Sequence, residues 1–190
     1  MQEFARHRNG FRMTSIFRLY LDIALLRRGP QDVPVSQPLM LATLLAFVLL
    51  NALLTAAYRP QNDDWVLQLA VSVAFTLAWY WMLMLLFGRP ERWLQTITAI
   101  LGFGCVVTPV IVPAAGIAAP YAANPGTAMP WMLLLLPVAV YLIYVNSRIL
   151  QAAIERPMFQ CVMLVLLQTF LEPLIILSLF GPDAPPAAAS

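Results

Sequence analysis

The sequence predicts an all-α, polytopic membrane helix bundle: five transmembrane helices preceded by an N-terminal amphipathic interfacial helix. Three observations carry that reading. Of the 190 residues, 61% are apolar and 11% are charged, less than half the share of about 25% that solvates a soluble domain. Five apolar segments reach the roughly 20 residues that a helix needs to cross a bilayer. None of the five alternates with the period of two expected of barrel strands, which leaves helices as the way to satisfy every backbone group in lipid.

Residues 1–38 read as a cytoplasmic segment holding the amphipathic helix. Projected at the helical period, Phe11 to Leu26 places Ile16, Phe17, Tyr20, Ile23 and Ala24 on one face. Thr14, Ser15, Arg18 and Asp22 gather opposite, with Arg18 and Asp22 spaced for an i, i+4 ion pair. Two placements fit: the helix lies on the leaflet with its arginines near anionic headgroups, or it packs under the bundle. Gly29-Pro30 and Pro34 are expected to end it. Asp22 breaks the apolar run, so this segment does not read as a cleavable signal.

Residues 39–180 read as the transmembrane domain. The spans are Leu39 to Tyr58, Trp65 to Phe87, Trp93 to about Pro113, Met129 to about Asn146, and Met158 to Phe180. Trp93 to Pro113 has a potential extension through the following alanines. The uncharged Pro/Ala/Gly stretch from Ala114 to Thr127 is expected to form a short external loop, and residues 181–190 a disordered external tail.

The cationic residues are all arginine, and their distribution sets the orientation. Arg6, Arg8, Arg12, Arg18, Arg27 and Arg28 precede the first span, Arg89 and Arg92 join the second and third, and Arg148 and Arg156 join the fourth and fifth. Ten of the eleven thus fall on one side, leaving Arg59 on the other beside Asp63 and Asp64. The positive-inside rule puts the N-terminus in the cytoplasm and the C-terminus outside. Trp65 and Trp131 would then mark the outer interface and Trp93 the inner one. Arginine in place of every lysine, with abundant alanine and proline, points to a GC-rich bacterial genome and hence to the inner membrane.

The inventory of reactive groups is thin. His7 is the only histidine, which excludes bis-histidine haem ligation, zinc-protease motifs and a Ser-His protease. Without lysine there is no phosphate-binding loop of the Gly-Lys type. A net charge of +2 gives no footprint for nucleic acid. Cys105 and Cys161 lie in apolar runs and act as small hydrophobes, so neither a disulfide scaffold nor a metal site is expected, and no cofactor. Asp63-Asp64 reads as helix capping or solvation.

Three polar residues inside spans are the candidate binding residues. Glu172 is the one carboxylate well within a span, roughly 12 Å below the end of its helix at 1.5 Å per residue, and Gln168 and Thr169 share its stripe. It reads either as a proton- or cation-linked site or as a group hydrogen-bonded within the bundle. Asn51 with Thr55, and Gln68 with Ser72 and Thr76, form similar stripes that serve interhelical hydrogen bonds or a transport path. Trp79, Tyr80 and Trp81 point in several directions within one turn and read as core or lipid contacts.

The stretch Leu86 to Pro109, LFGRPERWLQTITAILGFGCVVTP, resembles the central signature of the Yip-domain family of five-span membrane proteins. There a Gly-containing cytoplasmic turn leads into a third span with a Gln-Thr-like start, a Gly-aromatic pair and a proline. Gly88, Gln95, Thr96, Gly102, Phe103 and Pro109 occupy those positions. The resemblance implies a five-span, N-in and C-out layout without enzymatic activity.

Together these features suggest a non-enzymatic scaffold, assembly factor or accessory subunit of a membrane complex. Its expected partners are the lipid bilayer and a membrane-protein partner or second copy. The alternative is a small transporter, channel or lipid-handling protein working through Glu172 and Gln168.

Overall fold

A computed structural model describes residues 13–58, 64–122 and 125–181. Arg6, His7, Arg8, Arg12, Arg59, Asp63 and the expected tail beyond Gly181 lie outside the described residues. Those described form six helices: α1 (Met13–Ala24), α2 (Gln37–Tyr58), α3 (Trp65–Leu86), α4 (Trp93–Ala122), α5 (Pro125–Ile154) and α6 (Met158–Phe180). The last five are long and apolar enough to cross a membrane. Short 3-10 turns at Pro30–Asp32 and Pro90–Arg92 lead towards α2 and into α4.

Two elements differ from the sequence reading. The loop expected from Ala114 to Thr127 is helical up to Ala122 and again from Pro125. Alanine has the highest helix propensity, so Ala114, Ala115, Ala118 and Ala119 carry the helix past Pro113 and Gly116. The fourth span likewise continues past Asn146 to Ile154, because Ser147 to Ile154 holds mostly good helix formers. Arg148 therefore sits on α5, bonded to Gln151 Oε1 at 2.9 Å, and not in the connection that follows. Trp131 falls inside α5, not at its start.

α4 lies at the centre, packed against α1, α2, α3 and α5, while α6 packs against α5 and α3. Small residues on α4 set how closely its neighbours approach. A Cβ at Gly102 would clash with the ring of Tyr20, and one at Gly104 with the ring of Phe47 on α2. Gly116 meets Tyr58 in the same way, its built Cβ lying 3.0 Å from the Tyr58 Cβ. This is close packing by small residues of the kind that holds membrane helices together.

The described core forms two clusters. Trp79, Tyr80, Leu83 and Met84 of α3 pack with Ile97 and Leu101 of α4, Leu150, Ala153 and Ile154 of α5, and Cys161 and Val165 of α6. A second cluster joins Leu19, Tyr20, Ile23 and Ala24 of α1 to Val33, Ala99, Phe103, Val145 and Ile149. Counted along each helix, these residues lie within roughly 16 Å of the end that carries the 88–92 and 155–157 connections. Among the residues of α2 to α6 whose burial is described, Thr108 is the only buried side chain farther out.

Candidate functional site

The three arginine-bearing segments meet at the tightly packed end. α3 stops in a Schellman turn: the Arg89 amide bonds the Met84 carbonyl at 2.8 Å and the Gly88 amide bonds the Leu85 carbonyl at 3.1 Å. Gly88 has φ of +68° with open space around its Cβ position, so this turn selects glycine for its backbone and not for room. α5 ends on Glu155, which has φ of +55°.

That carboxylate then binds two arginines of the α3–α4 connection, Arg89 at 2.6 Å and Arg92 at 2.7 Å. Arg92 Nη1 also donates to the carbonyls of Ala152 and Ala153 at 3.1 and 3.3 Å, covering acceptors that the helix end leaves open. Arg156 lies over the ring of Phe87, 5.4 Å from its centroid. Gln95 Nε2 donates to the Val33 carbonyl at 3.0 Å, tying the segment before α2 to the same end. Between them lies a cavity of about 330 Å³ lined by Gln31, Arg92, Gln95, Thr96 and Glu155 among others.

α1 lies along the flank of α4, with the Tyr20 ring on Gly102 and the Tyr141 hydroxyl of α5 donating to the Ala24 carbonyl. Thr43 uses its one hydroxyl proton on the Leu39 carbonyl at 2.8 Å. Tyr20 is therefore the donor in its 2.6 Å bond to Thr43 Oγ1. Burial raises the pKa of the Tyr20 phenol above its ordinary value.

The face expected to be buried is shifted: Leu19 is buried and Phe17 is exposed. Asp22 pairs with Arg28, at 3.5 Å, in place of the expected Arg18. The helix ends before Gly29, in a Schellman turn with Leu26 at φ of +59°. There the Arg27 amide bonds the Asp22 carbonyl at 2.8 Å and the Leu26 amide bonds the Ile23 carbonyl at 3.0 Å.

Glu172 lies eight residues from the far end of α6. Its Oε1 accepts a hydrogen bond from the Ser72 hydroxyl of α3, and the carboxylate is half-buried. Gln168 is half-buried one turn away, while Thr169 bonds back to the Val165 carbonyl at 2.8 Å. Among the described residues no hydrogen bond joins Gln168 to Glu172. Asn51 is not brought to this site; its side chain donates to the Phe47 carbonyl of its own helix at 2.8 Å.

Sequence reading placed Ser72 in a polar stripe without naming its partner. The available signal was depth, since Ser72 is seven residues into α3 and Glu172 eight residues from the end of antiparallel α6. Glu155 was missed as the hub of the arginine end, although the sidedness of the arginines already placed its connection beside Arg89 and Arg92.

Of the remaining motif positions, Thr96 bonds the Arg92 carbonyl at 2.8 Å. Phe103 is buried in the α1 cluster, and Pro109 is exposed within continuous α4. Asp64 starts α3 through its backbone carbonyl, which accepts from the Gln68 amide at 2.9 Å, with no side-chain capping bond. In comparisons with known protein families, curated proteins and solved structures, nothing matches this chain.

Proposed function

We propose that this chain is a non-enzymatic inner-membrane protein of bacterial type that acts as a scaffold, assembly factor or accessory subunit, with the arginine end facing the cytoplasm. The observation that carries the reading is the carboxylate of Glu172, half-buried at mid-span on α6 with the Ser72 hydroxyl of α3 as its hydrogen-bond partner. An ionisable group at that depth is costly facing lipid and is found facing protein or water. A helix of a partner subunit, seated beside α6 and hydrogen-bonded to Glu172, would add a second donor and keep the carboxylate facing protein. The likeness of Gly88, Gln95, Thr96, Gly102, Phe103 and Pro109 to the Yip-domain signature belongs to the same proposal, since all of these but the exposed Pro109 lie at the closed end.

A photo-crosslinker placed at Gln168 in cells tests it. The reading expects one dominant protein adduct there, and none from the same probe at Met84 inside the packed end. Lipid as the sole adduct at Gln168 would sink it. The second reading, a transport or lipid-handling path, rests on the Ser72–Glu172 pair. It requires Glu172→Gln to abolish flux in vesicles while the protein stays folded.

A further inference from the structure

α1 has two apolar faces, and only one is used by the fold. Leu19, Tyr20, Ile23 and Ala24 are buried against α4 and α5. Phe17, Leu21 and Leu25, spaced i, i+4, i+8, form a second row that is 57%, 36% and 48% exposed. A helix capping the bundle in water would be polar on that side.

Its depth explains the difference. Tyr20 sits on Gly102, nine residues into α4, and bonds Thr43, six residues into α2. At 1.5 Å per residue these points lie roughly 9–13 Å in from the arginine end of the spanning helices. At that level the neighbouring helices also turn leucines outward, such as Leu41 and Leu45. With α2 to α6 spanning a bilayer, a row at this depth is at the level of the acyl chains.

The charges bordering this row have one sign in excess. Arg18, Arg27 and Arg28 are exposed, and Asp22, the one carboxylate on α1, pairs with Arg28. The Schellman turn at Leu26 ends the helix, and Arg27 and Arg28 follow it with both side chains exposed. Arginine stems that cross apolar surface to reach the interface carry guanidinium forks suited to phosphate.

We propose that α1 is a binding element for acidic phospholipid in the leaflet at the arginine end. The Phe17–Leu21–Leu25 row holds the acyl chains, while Arg18 and Arg27 hold the headgroup phosphate. The inference stands apart from the proposed partner at Glu172, which concerns the opposite half.

Native mass spectrometry of the full-length protein in mild detergent, titrated with phosphatidylglycerol or phosphatidylcholine of matched chains, tests it. Phosphatidylglycerol adducts should exceed phosphatidylcholine adducts at least fivefold. Arg18→Gln with Arg27→Gln should erase that preference while leaving thermal unfolding unchanged, because both side chains are exposed. Phe17→Ser with Leu21→Ser should reduce adducts of both lipids. Equal retention of the two lipids by the wild type, or an unchanged preference in the arginine variant, would overturn the proposal. So would glycerophosphoglycerol binding as well as the intact lipid, or a protein as the main adduct of a photo-crosslinker at Leu21.

Discussion

Tyr20 of α1 lies across Gly102 of α4, filling the space where any other residue would carry a Cβ. Its hydroxyl continues the contact to a third helix by donating to Thr43 at 2.6 Å, and Thr43 in turn donates to the Leu39 carbonyl. One aromatic side chain thus joins α1, α2 and α4, and makes the amphipathic helix part of the membrane fold.

Gly102→Ala should undo that junction. The added methyl has no room unless the Tyr20 ring moves, and overpacking of this kind costs about 1–3 kcal/mol. The expected outcome is a lower melting temperature in mild detergent and faster tryptic cleavage after Arg18, Arg27 and Arg28. Unchanged cleavage would show that α1 does not depend on the Gly102 contact.

Leu26→Gly should act in the opposite direction. Leu26 occupies the left-handed position of a Schellman turn at φ of +59°, a conformation that costs a non-glycine residue roughly 1–2 kcal/mol. Glycine removes that strain but loosens the unfolded chain, so a net gain of about 1 kcal/mol or less is expected. Thermal unfolding in detergent checks it; a loss of stability would mean that the exposed leucine contributes more than its backbone strain removes.

Glu155→Gln should weaken the closed end modestly and in a salt-dependent way. Its pairs with Arg89 and Arg92 are partly exposed, with side-chain exposures of 51% for Glu155 against 37% and 33%, and exposed pairs contribute up to about 1 kcal/mol each. Arg92 keeps its bonds to the Ala152 and Ala153 carbonyls in the variant. The difference from wild type should shrink as salt rises, because partly exposed pairs are screened. An effect that grows with salt would contradict the ion-pair account.

The docking of α1 should also weaken at high pH. Burial holds the docked Tyr20 phenol protonated above its ordinary value near 10, whereas an undocked Tyr20 ionises there. The docked state binds the extra proton, so its stability falls as pH rises past 10. Proteolysis of α1 should therefore accelerate in the wild type at high pH, and Tyr20→Phe should show a smaller pH effect although its docking starts weaker. Equal pH profiles would remove Tyr20 from the explanation.

How much of this was legible beforehand depended on which physical term decided each feature. The five spans could be read because length and hydropathy set them, and the sidedness of the arginines anticipated that three connections would meet. The helical stretch from Ala114 to Ala122 was hidden by Pro113, Gly116 and Pro120, whose turn signals mask the helix propensity of the alanines between them. The buried face of α1 could not be chosen because Phe17, Leu21 and Leu25 are as apolar as Leu19 and Ile23. Glu172 was recognisable from its depth alone. Its partner Ser72 required knowing that α3 and α6 are neighbours, which hydropathy does not encode.

The central proposal is that a helix of another subunit meets Glu172 at mid-span. Native mass measurement of the protein purified in mild detergent, with identification of every chain present, tests it most directly. The account predicts a stoichiometric membrane partner that is retained by the wild type and lost from Glu172→Leu, while the variant itself still melts cooperatively. A wild-type protein that is a lone monomer under conditions preserving other membrane complexes, or a partner retained equally by Glu172→Leu, would contradict it.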